Sequence, residues 1–208
     1  DSDGIPDVAV TGAANSAHDI TYFDITEIVG GSGSDILRSL SFHNEWVLTD
    51  SNAGTLKAGS FNAITFSNIE NLTGGSGTDT LTGLATANAF SITAANAVTT
   101  SGMSMTSVEA LVGGAAADTF TLAAGVTTFN GSIDGAGLTD SSLIATDGTN
   151  AWTVTGANAG TVGATTTFSN METLTGGSGT DTLTVTRNAN IALTNALLTV
   201  GAESSLNL

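Results

Sequence analysis

The stretch NIENLTGGSGTDTLTG, from Asn68 to Gly83, returns almost unchanged as NMETLTGGSGTDTLTV, from Asn170 to Val185. Two looser copies are ITEIVGGSGSDIL (Ile25 to Leu37) and SVEALVGGAAADTFTL (Ser107 to Leu122). Their double glycines begin at Gly30, Gly74, Gly113 and Gly176, and a degenerate copy, IDGAGLTDSSL, places its glycine at Gly135. In chain order the steps are 44, 39, 22 and 41 residues, close to whole multiples of a unit of roughly 21, and whole multiples of one short unit are the mark of a solenoid. A second phrase alternates with the first. EWVLTDSNAGTLKAGSFNAITFSNIE (Glu45 to Glu70) aligns with AWTVTGANAGTVGATTTFSNME (Ala151 to Glu172), and AFSITAANAVTTSGMSMTSVE (Ala89 to Glu109) is a shorter relative.

Apolar and polar residues alternate in runs of three to five, bounded by Gly, Asn, Ser or Asp, which is the pattern of short strands and turns. Thr enrichment agrees, and no segment carries a helical period of useful length. The expected fold is therefore all-β: a parallel β-solenoid, a β-helix in preference to a calcium β-roll, with about ten rungs of roughly 21 residues. At about 4.8 Å per strand it would be a rod on the order of 50 Å long. Residues 1–19 are expected to be an acidic N-terminal loop and lead-in, and residues 20–208 one continuous solenoid.

Composition narrows the function. Three Lys and Arg against nineteen Asp and Glu give a net charge of −16, which disfavours nucleic acid and anionic membranes and suits divalent cations and a salty exterior. The mean hydropathy of +0.24 is too high for disorder. There are no cysteines, and no apolar run reaches the ~18 residues of a membrane span. The chain starts at Asp1 without Met and ends inside patterned sequence, ANIALTNALLTVGAESSLNL. It reads as a piece of a longer exported protein, uncapped at that end, so that a following rung or an identical rod could stack there.

Candidate ligands are carboxylates. DSDGIPD offers Asp1, Asp3 and Asp7 around a glycine, oxygen donors that could wrap a hard cation; the motif resembles the calcium loops of thrombospondin type 3 repeats. Each GGSGTD-type turn ends in an Asp, giving Asp35, Asp79 and Asp181 as candidate calcium ligands, with Asp118 poorest because its turn is GGAAAD. The favoured reading of these turns is structural, with Gly supplying positive φ and Asp bonding the turn backbone; a bound ion is the other. A faint nine-residue phase links Glu70, Asp79 and Asn88, and again Glu172, Asp181 and Asn190. The glutamates before the turns, Glu70, Glu109 and Glu172, could form a surface ladder, a hydrogen-bonded corner or an ion ligand, and the surface reading is favoured. Trp46, Phe90 and Trp152 share one register and are expected as an internal stack rather than a sugar platform. Lys57, Arg38, Arg187, His18 and His43 are scattered, and no nucleophile, Walker or zinc-site motif occurs, so the chain is not expected to be an enzyme.

NAGTL, FSNIENLTGGSGTDTLTG and WTVTGANAGTV resemble the repeats of giant bacterial surface adhesins and haemagglutinin-like exoproteins, and GGSGTDTLT is similar to the repeats-in-toxin nonapeptide G-G-x-G-x-D-x-apolar-x. The resemblance covers roughly residues 20 to 200 and is loose between Thr127 and Asn150. It implies a secreted, cell-surface location and a structural role with calcium as the possible cofactor. The chain would be a stiff rod serving as an adhesin stalk or as a subunit of a filament or S-layer-like array. The expected partners are a second copy end to end, the rest of a longer chain, or a glycan or cell-surface ligand; a carbohydrate-binding module using exposed aromatics is the alternative.

Overall fold

The computed structural model describes residues 26–39, 43–136 and 140–186, and the candidate ligands Asp1, Asp3 and Asp7, His18, Arg187 and the C-terminal pattern lie outside them. The described chain is all-β without a helix. Its strands in order are β1 (Glu27–Val29), β2 (Ile36–Arg38), β3 (Asn44–Asp50), β4 (Ala53–Ala58), β5 (Ile64–Ser67), β6 (Asn71–Thr73) and β7 (Thr80–Thr82). There follow β8 (Ala89–Ala94), β9 (Ala97–Thr100), β10 (Met103–Thr106), β11 (Ala110–Val112), β12 (Thr119–Leu122) and β13 (Gly131–Asp134). The last are β14 (Ser142–Ile144), β15 (Ala151–Gly156), β16 (Ala159–Val162), β17 (Thr166–Ser169), β18 (Thr173–Thr175) and β19 (Thr182–Val185).

They form two sheets, ordered β1-β5-β4-β3-β7-β11-β13-β17-β16-β15-β19 and β18-β14-β12-β8-β9-β10-β6-β2. The chain passes from one sheet to the other at every polar turn, so the coil has two sides and two corners. Strand after strand, the middle residue points inward: Leu37, Leu72, Leu81, Leu111, Phe120, Ile133 and Leu143 are each at most 2% exposed. In-register parallel pairing lines them up, as in Leu81 opposite Leu111 and Leu111 opposite Ile133. This is a β-solenoid of about 5 turns, with a single core between its sheets.

The count of about ten rungs is corrected, and the cause is a set of antiparallel insertions. Three meanders, β3-β4-β5, β8-β9-β10 and β15-β16-β17, each fold two hairpins within one sheet before the chain crosses to the other. A coil without a meander is close to the expected length, since Leu111 and its stacked partner Ile133 are 22 residues apart. A coil with one is longer: Leu81 follows its partner Trp46 by 35 residues. The long steps between glycine copies thus contain one coil and a meander rather than two coils.

Each meander carries the chain three places along its own sheet and then back two. The meanders occupy the first sheet, the second, and the first again, which keeps the sheets in step. Two running in one sheet would offset the corners by five strands, about 24 Å at the usual spacing. A six-residue turn reaches only about 20 Å when fully extended. The double glycines consequently form two columns, Gly30 and Gly113 at one corner, Gly74 and Gly176 at the other.

Trp46 and Trp152 are 0% and 5% exposed, so the expected burial holds and neither offers a sugar a face, but Phe90 lies in the other sheet and the three do not form one stack. Each packs edge-on to the last strand of its meander, Trp46 on Phe66 and Trp152 on Phe168. In the second meander Phe90 instead stacks flat on Phe120 of the next coil at 4.6 Å.

Candidate functional site: the polar corners

Both corners carry a column of Asp, Asn, Glu and Ser that ties each coil to its neighbour. Such polar groups stay buried only when paired. Where a meander leads into a corner, the chain turns through a left-handed residue, Asn68 (φ 52°), Ser107 (φ 55°) or Asn170 (φ 54°). It then buries Ile69, Val108 or Met171 and reaches the recurring glutamate. Short polar side chains tolerate that left-handed conformation better than most.

The glutamates are two-handed clamps; Glu70 and Glu109 are half-buried rather than at the surface, whereas Glu172 is exposed as expected. Glu70 Oε1 accepts from Asn52 Nδ2 at 3.0 Å, and its Oε2 from the Asp35 N–H at 2.9 Å. Glu109 accepts from Asn96 Nδ2 at 3.0 Å and from the Asp79 N–H at 3.0 Å. Glu172 accepts from Asn158 Nδ2 at 2.9 Å and from the Ser141 N–H at 2.9 Å. One oxygen fastens the hairpin of its own meander, and the other fastens the turn of the adjacent coil.

The turn aspartates take a different partner. Asp79 Oδ1 accepts from both the backbone N–H and the Nδ2 of Asn44, at 3.0 and 2.5 Å. Asp118 Oδ1 does the same with Asn88, at 2.7 and 2.7 Å, and Asp181 Oδ1 with Asn150, at 2.9 and 2.8 Å. The expected bond from Asp to its own turn occurs at Asp118, whose Oδ2 accepts from the Gly114 N–H at 2.7 Å. The first glycine of each pair is demanded by sterics: a Cβ at Gly30 would lie 2.8 Å from Asp35 Oδ2, and one at Gly74 2.5 Å from Asp79 Oδ2. Burial pushes the Asp79 carboxyl above the usual value, opposed by its bonds from Asn44 and the nearby His43. Asp147 in the exposed TDGT turn is held below it, because the Ser178 N–H donates to its Oδ1 at 2.7 Å.

The fold does not bring the sequence-derived ligands together. Asp35 stands at one corner, Asp79 and Asp181 at the other, several coils apart. Among the described residues no three His, Cys, Asp or Glu side chains converge as metal ligands. Two buried carboxylate oxygens still lack a partner among the described residues, Asp35 Oδ2 and Asp79 Oδ2, and a bare carboxylate oxygen is what a hard cation takes. Among the described residues no asparagine clamp stands on Asp35. His43 sits in the open, taking the Thr78 N–H on Nδ1 at 3.1 Å. Lys57 forms an exposed ion pair with Glu45 at 3.3 Å. A shallow groove of about 440 Å³ runs over Asn71, Ser91, Thr99 and Ser104, and no histidine, cysteine or cation lines it. The hydrogen-bonded corner was one sequence reading of the glutamates; their asparagine partners were beyond it except through one signal, the recurrence of Asn at the nine-residue phase.

A family model described as an RTX calcium-binding nonapeptide repeat (4 copies) matches residues 65–90 and 169–190. No curated protein and no solved structure shows a significant match. The two matched segments contain the Asp79 and Asp181 turns, and repeats of this kind bind calcium. The chain is thus a β-solenoid with two segments similar to RTX-type repeats, and calcium is its possible cofactor.

Proposed function

We propose that this chain is a structural rod of an extracellular bacterial protein, either the stalk of a surface adhesin or the repeating subunit of a filament or array. The observation that carries this reading is the coil-to-coil bonding. Backbone ladders run the length of both sheets, and both corners add side-chain ties, so adjacent coils cannot slide without breaking buried polar pairs. A stack of this kind resists bending and proteolysis because local opening exposes unsatisfied groups. The net charge of −16 keeps such a rod soluble, and the RTX-type repeats match what secreted proteins carry. Asp35 is the described residue best placed to hold calcium, with Asp1, Asp3 and Asp7 as a separate N-terminal loop; calcium would stiffen that end. No feature of the described residues supports catalysis, and the burial of both tryptophans removes them as a sugar platform.

Electron microscopy of the purified chain at low and at millimolar calcium tests the reading. Stiff rods on the order of 50 Å long, single or joined end to end, are expected. End-to-end filaments favour the subunit, and single rods the stalk. Round particles of no definite axis at both calcium levels would defeat both.

A further inference from the structure

The three asparagine clamps are alike in a way the rod does not require. Asn44, Asn88 and Asn150 each close a turn of the same length as the aspartate turn stacked on it. Ser39 and Asn44 lie beside Gly74 and Asp79, Gly83–Asn88 against Gly113–Asp118, and Ala145–Asn150 against Gly176–Asp181. The strands that follow are paired in register, Glu45 with Thr80, Ala89 with Thr119, and Ala151 with Thr182. Asparagine therefore occupies the aspartate place of its own turn and faces a real aspartate in the next coil.

Around each side-chain nitrogen the oxygens converge. Asn44 Nδ2 donates to Gly74 O at 2.8 Å as well as to Asp79 Oδ1 at 2.5 Å. Asn88 Nδ2 has Thr86 O at 2.8 Å, Leu84 O at 2.9 Å and Asp118 Oδ1 at 2.7 Å. Asn150 Nδ2 has Gly176 O at 2.7 Å, Thr146 O at 2.9 Å and Asp181 Oδ1 at 2.8 Å. A cage of converging carbonyl and carboxylate oxygens is what a hard cation seeks. Here an amide already fills it.

We infer that Asn44, Asn88 and Asn150 take the place of an inter-coil cation, so that these three junctions fold and hold register without metal. The charge balance follows. One carboxylate facing one amide leaves a single negative charge, which two N–H groups of the same asparagine satisfy. Two facing carboxylates would repel, and a cation between them, or a proton held by one of them, would be needed to reconcile them. Calcium dependence in this chain then belongs to carboxylates outside the clamps. The inference stands whether the rod is a stalk or a filament subunit.

Asn88→Asp in the full 208-residue chain tests it at the junction where both partners are buried, Asn88 at 5% and Asp118 at 1% exposed. In excess chelator the variant should melt about 5–10 °C below the wild type, and millimolar calcium should restore most of the loss. The wild type should respond to calcium by less. Asn88→Ala removes the donor without adding charge, and should melt low in chelator and in calcium alike. If Asn88→Asp is unfolded in chelator, a calcium titration followed by circular dichroism replaces the melt, and recovery of the β signal supports the inference. It is overturned if Asn88→Asp is equally impaired with and without calcium, if it matches the wild type in chelator, or if Asn88→Ala melts like the wild type.

Discussion

The indole of Trp46 meets the ring of Phe66 edge-on, their centroids 6.1 Å apart and their planes inclined by 68°, although the strands that carry them are separated by a third. The middle strand carries Gly54, which faces Phe66 in the antiparallel register. A Cβ there would stand 2.7 Å from Phe66 Cζ and collide with the Val47 carbonyl. The bare glycine gives the ring its room. The third meander repeats the arrangement with Trp152, Gly160 and Phe168, which is why NAGT recurs in the sequence beside each tryptophan. Aromatic edge-to-face pairs contribute about 0.5–1.5 kcal/mol beyond burial.

Gly54→Ala should therefore overpack the first meander and cost about 1–3 kcal/mol. Gly156→Ala is the control, since its Cβ would meet nothing within 4 Å. Thermal melts of the two variants should separate clearly, with Gly54→Ala low and Gly156→Ala at or slightly above the wild type.

Glu109→Gln keeps an oxygen for Asn96 but turns an amide towards the Asp79 N–H. A half-buried donor is left without an acceptor, at a cost of about 1–3 kcal/mol. Hydrogen exchange gives the sharper readout. The Asp79 amide should lose protection in the variant, whereas amides of the first coil, such as Ile28, should not.

The Asp79 carboxyl gives a pH prediction with a definite sign. Its folded pKa is raised above the ordinary 3.8 by burial, so the folded state holds its proton more tightly than the unfolded chain does. Ionised Asp79 thus lowers stability at neutral pH, and the penalty fades as pH falls through the raised value towards 3.8. Asp79→Asn is neutral throughout and retains an oxygen for Asn44. Urea melts in chelator should show its stability relative to wild type highest at neutral pH and declining steadily towards pH 3.8. Asp147, held low, acts in the opposite sense, and as it is common to both proteins its effect cancels.

The two tryptophans are the only ones in the chain, and both are buried. Emission should be blue-shifted, weakly quenched by iodide, and unchanged by any soluble glycan. Quenching by a glycan would restore the carbohydrate-binding alternative.

Much of this fold was legible in the residues. The turn glycines, the inward Leu and Phe of each short strand, and the buried register of Trp46 and Trp152 follow from alternation and composition. The meanders were hidden because a run such as AVTT or AGTV carries no sign of its direction. Parallel and antiparallel neighbours bury the same alternate residues, and only the pairing of Trp46 with Leu56 behind it and Leu81 ahead distinguishes them. The corners were hidden for a related reason. Glu109 looks like a surface acid until the Asp79 N–H, 30 residues earlier, is seen to need an acceptor. Asn88 looks like an ordinary turn residue until Asp118 is stacked on it.

The most direct measurement uses the absence of native cysteine. Ser132 and Thr167 face each other across paired parallel strands, close enough for a disulfide. Thr153 precedes Thr167 in the chain yet lies three strands from Ser132, about 14 Å away. Oxidation of the Ser132→Cys/Thr167→Cys variant should give nearly complete intramolecular cross-linking, and Ser132→Cys/Thr153→Cys almost none. The reverse pattern would mean that the chain coils without switching back, and the account of both the meanders and the corners would be wrong.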